Sequence, residues 1–431
     1  MIEPGGAEPA PVPDSPPPAP AGAPASATTG TGGIAADVAI VMLTYNNGAT
    51  AGPIAAAAAR GVAEHLPGLT AALVNCDAGS SDGTQAALAA AGLPMITISH
   101  EAPAGERVTV PFHGVPGRDA GLRAGLKAAH GMGARIAILL EADAASATPE
   151  WIPRLAHPVL DDKADFVAPV YARHRYEGTI TRLLLSPLVR ALYGRRLHHP
   201  LGGQQALSGR LVEHLLLHPK WNWAGRDASD LWITGTAIAD GFSVWETWLG
   251  PYVVKSATRT ADLPTMVAQT LGAAFSVMER HGDLWLEVRG SEPLPCHGEP
   301  RPLPAGDGAV DVERMLDAFH RGASDLSSIW ELILAPDTLG SVLSLEVSDP
   351  RHVVFPDDLW ARVVYDFALG HHYGVVHRDH LLRSLVPIYL GRTAAFVSAM
   401  MGARAAASDT ALEAVAAAFE RQKPYLVEHW R

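Results

Sequence analysis

The sequence predicts an α/β fold: a mostly parallel sheet with helices on both faces, followed by a helical C-terminal region. Three observations carry this expectation. Short apolar, β-rich runs alternate with Ala-rich helical stretches from Asp37 to Leu140, the pattern of strands joined by crossover helices. Apolar residues make up 48% of the 431-residue chain and charged ones 18%, enough to bury a sizeable core. From Val310 to the end the pattern becomes helical.

The elements follow in order. Residues 1–36 are almost entirely Pro, Ala, Gly, Ser and Thr. They read as a disordered tail, without the basic start and apolar stretch of a secretory signal. Val38–Leu43 reads as the first strand, and Thr44-Tyr45-Asn46-Asn47-Gly48 carries turn chemistry. A helix over Ala51–His65 leads to a second strand, Ala71–Cys76, which ends at Asp77-Ala78-Gly79-Ser80-Ser81-Asp82-Gly83-Thr84. After another Ala-rich helix come a strand at Met95–Ser99, a Gly/Pro loop, a helix over Asp119–His130 and a strand at Ala134–Leu140. In open sheets of this kind ligands gather beyond the carboxyl ends of the strands. Tyr45, Asp77 and Glu141-Ala142-Asp143 all fall there. The Pro/Gly-rich stretch Ser291–Asp307 reads as a linker. It divides a domain over 37–305, with halves 37–150 and 151–305, from a helical region over 306–431.

Composition excludes several classes. The net charge is -12 and no basic run is long enough to track a phosphate backbone, which argues against a nucleic-acid partner. Two cysteines, Cys76 and Cys296, are too few for a disulfide framework and suit a reducing cytoplasm. The stretch Ile180–Tyr193 is broken by Arg182, Pro187 and Arg190, and it falls short of the roughly 20 residues that span a bilayer.

Each motif has a functional and a plain structural reading. Asp77 offers a carboxylate at a strand end that could accept from a nucleobase imide, with small residues allowing close approach; an ordinary turn with Asp82 and Thr84 capping a helix has the same composition. Glu141 and Asp143 stand two apart after an apolar strand. In an extended segment they would face one side and offer hard oxygen ligands to Mg2+ or Mn2+ bridging a diphosphate; a solvated acidic loop is the plain alternative. Pro116-Gly117-Arg118-Asp119 opens a helix, where Arg118 either meets a phosphate or lies on the surface. His198-His199 and His371-His372 are adjacent pairs, whose side chains point apart, unlike the i, i+4 pairs of helical metal sites. Trp221, Trp223, Trp245 and Trp248 read as core rather than a sugar platform.

Taken together, Leu43-Thr44-Tyr45-Asn46, the Asp77–Thr84 loop and Glu141-Ala142-Asp143 resemble the nucleotide-sugar signature of GT-A glycosyltransferases, whose fold is Rossmann-like. Pro200-Leu201-Gly202-Gly203, Ser229-Asp230-Leu231-Trp232 and the pattern from Arg378 to Arg392 resemble the retaining synthases of mannosylglycerate, glucosylglycerate and glucosyl-3-phosphoglycerate. The resemblance implies that Tyr45 and Asp77 hold the base, with Thr44, Asn46 and Ala142 in the donor-binding motifs, that Arg118 holds the diphosphate, and that Asp143 with Glu141 holds a divalent metal. The loop Gly202-Gly203-Gln204-Gln205 would face the acceptor, and Asp230 would lie beside the reacting sugar. The implied donor is an NDP-glucose or GDP-mannose, the acceptor a small hydroxy acid such as glycerate, and the implied enzyme a hexosyltransferase, with a homodimer as one role of the C-terminal region.

The chain departs from that pattern at three points. Glu141 stands where Asp is usual and Gln204 where Glu is usual. The segment after Trp248 usually supplies a metal-binding His, yet Pro251–Thr260 has none and carries Lys255 and Arg259. A fixed cation there could neutralise a leaving diphosphate. A nucleotidyltransferase, or a nucleotide-sugar-binding protein without turnover, are the other readings of the same motifs.

Overall fold

Every residue of strand β1 (Val38–Thr44) is buried. Its alternate members belong to different apolar clusters: Val38, Ile40 and Met42 to one, Ala39, Val41 and Leu43 to the other. A strand buried on both faces needs parallel neighbours and helices above and below it. The computed structural model supplies both, and it describes residues 34–100, 102–103, 105–106, 110–219, 221, 229–256, 262–300, 310–345, 354–403 and 405–431.

The chain continues through helix α1 (Ala51–His65), β2 (Ala71–Asp77), α2 (Thr84–Ala89), β3 (Met95–Ser99), α3 (Arg118–Gly131), β4 (Ile136–Glu141), α4 (Trp151–Leu160) and β5 (Phe166–Ala172). A π-helical turn over Thr181–Leu185 opens α5 (Ser186–Tyr193). Then come β6 (Arg195–Arg196), β7 (Gln205–Ser208), α6 (Gly209–Leu217), α7 (Ser229–Ala239), β8 (Val244–Pro251), α8 (Leu263–Arg280), α9 (Gly282–Trp285), β9 (Glu292–Pro293) and β10 (Cys296–His297). The predicted helix over Ala51–His65 and strand at Met95–Ser99 are found with those bounds.

Eight strands form the main sheet in the order β10-β8-β5-β7-β4-β1-β2-β3. All pairs are parallel except those of β7, which runs against both β4 and β5. That reversal matters for the site: β7 begins at the edge where β4 and β5 end, with Gln205 opposite Leu139. Helices α1 and α4 cover one face of the sheet, and α3 and α6 the other. The fit under α3 is close: a Cβ at Gly125 would lie 2.5 Å from Val41 Cγ1 and 2.9 Å from Cys76 Sγ.

Two expectations are corrected. Glu141 is the last residue of β4, and Ala142 and Asp143 form a turn leading to an isolated bridge between Ala144 and Val254. Strand alternation therefore stops at Glu141 and does not set where Asp143 points. The first part of the presumed linker is strand: Glu292–Pro293 pairs with Arg195–Arg196, and Cys296–His297 forms the sheet's edge against Glu246–Thr247. Short apolar-poor strands of this kind leave no periodic signal. The expected boundary near 305 and most of the tail, residues 1–33, lie outside the described residues. Ala36, placed in the tail by sequence, is buried in the core.

The C-terminal region is helical, as expected: α10 (Val312–Asp325), α11 (Ser327–Ile333), α12 (Pro336–Leu343), α13 (Asp357–Tyr373), α14 (Arg378–Ser384), α15 (Val386–Met400) and α16 (Ala405–Trp430). It shares the larger apolar cluster with α3, α5 and α6. Trp360 of α13 donates to the Leu183 carbonyl at 2.7 Å. Arg190 of α5, almost fully buried, is held by Glu413 and Glu420 of α16 at 2.7 and 2.9 Å.

Candidate active site

The loops after β1 and β2 are bound to each other. The Asp77 carboxylate, buried at the end of β2, accepts from the Thr44 hydroxyl at 3.0 Å and the Ser80 hydroxyl at 2.5 Å through one oxygen. Its other oxygen takes the Gly79 and Ser80 N–H groups at 3.2 and 3.0 Å. The single Thr44 hydroxyl proton also faces Asn75 Oδ1 at 2.7 Å, so the three bonds from Gly79 and Ser80 are the ones that hold this carboxylate. Asn46 sits at φ 54, the left-handed conformation Asn tolerates better than most residues. It is pinned there by bonds to Ser80 Oγ and from the Ser81 N–H, both 2.9 Å. Asp82 accepts from the Gly48 N–H at 2.7 Å, and Thr84 Oγ1 from the Asn47 N–H at 2.8 Å. Tyr45 is half-buried against the core. Asp77 thus organises its loop rather than presenting an open acceptor to a base.

At the same edge of the sheet lies a cavity of about 370 Å³, within the ~300–1,000 Å³ range of small-ligand sites. Its wall includes Arg118, Glu141, Arg173, Asp230, Tyr252 and Tyr389. Arg118, the first residue of α3, meets Asp230, in the first turn of α7, through a two-point ion pair: Nε to Oδ2 at 2.7 Å and Nη2 to Oδ1 at 3.0 Å. Only 7% of the Arg118 side chain and 15% of Asp230 are exposed, which makes the pair strong in geometry and costly to break from one side. Two residues predicted for separate roles, diphosphate binding and catalysis, are therefore joined.

Glu141 is set by its neighbours. A Cβ at residue 203 would fall 2.0 Å from Glu141 Cδ, so only glycine lets this carboxylate occupy its place. Gly202 is similarly close to Pro169. Gln204, fully buried, donates to Glu141 Oε2 at 3.3 Å and accepts from the Tyr171 hydroxyl. The Tyr252 hydroxyl also donates to Glu141. The rings of Tyr171 and Tyr252 stack with centroids 4.4 Å apart. Burial, and after it the nearby Tyr252 and Glu141, push the Tyr171 hydroxyl well above its ordinary range, so it remains a proton donor. His199 packs edge-on against Tyr171, and burial followed by repulsion from Arg173 and His198 holds it neutral.

Three predicted residues are not part of the cavity wall. Gln204 holds Glu141 and does not line the cavity. Lys255 is exposed, its backbone N–H donating to the Asp143 carbonyl at 2.9 Å, and its side chain is not part of the cavity wall. Asp143 is buried in its turn and also lies outside that wall. Arg259 and Trp223 lie outside the described residues. Trp221 packs against Trp232 in the core, and Trp245 and Trp248 are half-buried on β8. The paired histidines do diverge: His198 bonds Glu246, while His199 turns inward.

Sequence reading missed Arg173, Tyr252 and Tyr389. Arg173 follows β5 as Glu141 ends β4, and a charge just beyond an apolar strand was the available signal. Its guanidinium lies over Tyr252 and Tyr171, 4.8 and 5.5 Å from the ring centroids, and its Nε is buried with no hydrogen-bond partner among the described residues. Tyr252 stands in the segment where a histidine was sought. Tyr389 comes from α15, far along the chain, and no local pattern points to it.

Among the described residues, His214, His218 and Asp240 are the group of three or more ligating side chains drawn together, away from this cavity. Glu141 and Asp143 give two carboxylates, the number Mg2+ and Mn2+ use when phosphates and water complete their shell.

No protein-family profile matches the chain, and no curated protein is recognisably similar to it in sequence. Among solved structures, glucosyl-3-phosphoglycerate synthase from Mycobacterium tuberculosis in complex with phosphoglyceric acid is 21% identical, over 57% of this chain and 80% of that one, with a TM-score of 0.42. The same protein with Mn2+, UDP-glucose and phosphoglyceric acid gives 21% identity over the same shares and a TM-score of 0.44. With Mg2+ and UDP the values are 20%, 57%, 80% and 0.43. The roles of the residues described here rest on their own geometry.

Proposed function

We propose that this chain is a GT-A glycosyltransferase that moves a hexose, glucose or mannose, from a nucleoside-diphosphate sugar to the hydroxyl of a small hydroxy acid such as glycerate, with retention. The observation that carries the reading is the cavity at the carboxyl edge of the parallel strands. Its wall joins the Arg118–Asp230 pair, Glu141 and an Arg173 whose buried Nε has no partner among the described residues.

The nucleoside would rest against the loops after β1 and β2, with Tyr45 as the aromatic surface. Arg118 stands at the N-terminus of α3, where guanidinium and helix dipole both favour an anion, and it would receive the diphosphate. Asp230 orients Arg118 and would lie beside the reacting sugar. Glu141 and Asp143 would hold a divalent cation, which when bound supplies charge neutralisation to the leaving diphosphate. Arg173 supports an acceptor carrying a carboxylate, since its stacked guanidinium brings a fixed positive charge to the cavity wall.

A second reading, donor binding without turnover, draws support from the Tyr252 hydroxyl bonded to Glu141. Incubation with UDP-glucose, GDP-glucose or GDP-mannose, Mn2+, and either D-glycerate or phosphoglycerate, followed by mass spectrometry, separates the two. A hexosylated acid is the expected product. Donor binding with no product from any acid acceptor would sink the transferase reading and leave the second.

A further inference from the structure

A site outside the cavity carries a separate assignment. His214, in the last turn of α6, and His218, the residue that caps it, are four apart and so lie on one face of the helix. Their rings are 5.7 Å apart. Asp240 follows the last residue of α7, and its Oδ2 lies 2.6 Å from His214 Nε2 and 3.7 Å from His218 Nε2. One potential ligand atom from each residue falls within 4.8 Å of the others. Around a tetrahedral Zn2+ with bonds of ~2.0–2.1 Å, ligand atoms stand about 3.3 Å apart. The observed separations bracket that spacing, so a small rotation of the side chains completes it.

The surroundings favour a cation and fix the rings. The site lies at the C-terminal ends of α6 and α7, where helix carbonyls concentrate negative partial charge. His214 packs against Phe242 at 4.9 Å between centroids, and His218 packs edge-on against the buried Trp232 at 5.4 Å. The three side chains are 37%, 16% and 33% exposed, so an ion can enter and water can complete its shell.

We propose that His214, His218 and Asp240 bind a divalent transition-metal ion, Zn2+ by preference, that clips α6 to α7. Two imidazoles and one carboxylate select Zn2+ over the Mg2+ or Mn2+ that all-oxygen sites hold. The ion is structural in its reach. Asp240 stands ten residues, about 15 Å along the helix axis, from Asp230, so the metal anchors one end of the helix whose other end carries the Arg118 partner.

The test uses the full chain, stripped by a chelator and desalted, then titrated with Co2+ and Zn2+. One equivalent of Co2+ should give intense visible d–d bands of a low-symmetry nitrogen-bearing site, Zn2+ should displace it, and Zn2+ should raise the melting temperature. His214→Ala, His218→Ala and the milder Asp240→Asn should each weaken that equivalent by more than the roughly 10- to 100-fold cost of losing an outer-shell partner. Metal-free melting curves show that each variant still folds. The proposal is overturned if no Co2+ equivalent binds at micromolar concentrations, in which case the cluster is an ion pair only. It is equally overturned if the bound equivalent persists when all three residues are replaced together.

Discussion

The loops after β1 and β2 and the wall of the cavity face the same edge of the sheet, yet they are built in opposite ways. The loops come from two short stretches, 44–48 and 77–84, and bond to each other and within themselves, with the Asp77 carboxylate held by the Ser80 hydroxyl and the Gly79 and Ser80 N–H groups. The six polar wall residues named above come one each from α3, β4, the end of β5, α7, the segment after β8 and α15, and one of them, Arg173, keeps a buried Nε without a hydrogen-bond partner among the described residues. On the proposed reading the loops frame the nucleoside end of the donor, and the wall holds its diphosphate and the reacting groups.

Substitutions can break that division. The largest effect is expected from Arg118→Ala, which removes the fixed positive charge that the proposed function places on the diphosphate and leaves the mostly buried Asp230 without that partner. Turnover should fall about 10²–10³-fold, measured as product per unit time at saturating donor. Asp77→Asn comes next: an amide N–H would face donors in the loop, costing about 1–3 kcal/mol of stability, and the donor-induced melting shift should shrink while any residual turnover at saturation stays near wild type. Gly203→Ala should do the reverse, since its Cβ would collide with Glu141. Relief of that overlap costs about 1–3 kcal/mol and displaces Glu141, so turnover falls while donor binding persists. If Asp77→Asn and Gly203→Ala alter binding and turnover alike, the two regions are one unit and the division fails.

The smallest effect belongs to neither region and calibrates both. Lys423, buried in α16, donates to the Val288 carbonyl at 2.7 Å. Burial, then repulsion from Arg289, pulls its ammonium from 10.5 down to about 8. Between those values the unfolded chain holds the proton that the folded chain has released, so stability rises with pH across that window. Lys423→Met should abolish this rise without changing turnover, as urea midpoints at about pH 8 and about pH 10 would reveal.

The frame was legible because its residues are contiguous. Apolar runs ending in Thr44–Gly48 and Asp77–Thr84 located strands, loops and the sheet edge directly, and Arg118, Glu141 and Asp230, singled out from the sequence, all line the cavity. The wall was less so. Which partner each residue takes depends on strands and helices brought together only by folding, so the Arg118–Asp230 pair and the Tyr171–Gln204–Glu141–Tyr252 chain left no local trace. Two departures from the glycosyltransferase pattern, Glu141 and Gln204, stand in the sequence as separate changes. The structure joins them: the longer carboxylate reaches Gln204, and an amide there donates to it where a second carboxylate would repel it. The Gly203 contact with Glu141 completes the same adjustment.

The most direct test of the central claim is the melting shift of wild-type and Arg118→Ala protein with UDP-glucose, GDP-glucose and GDP-mannose, with and without Mn2+. A ligand that binds the native state raises its stability by mass action. The account expects at least one donor to raise the wild-type melting temperature, more so with Mn2+, and that shift to be lost or sharply reduced in Arg118→Ala. No shift with any donor, or one that Arg118→Ala leaves unchanged, would contradict the assignment of this edge of the sheet as a nucleotide-sugar site.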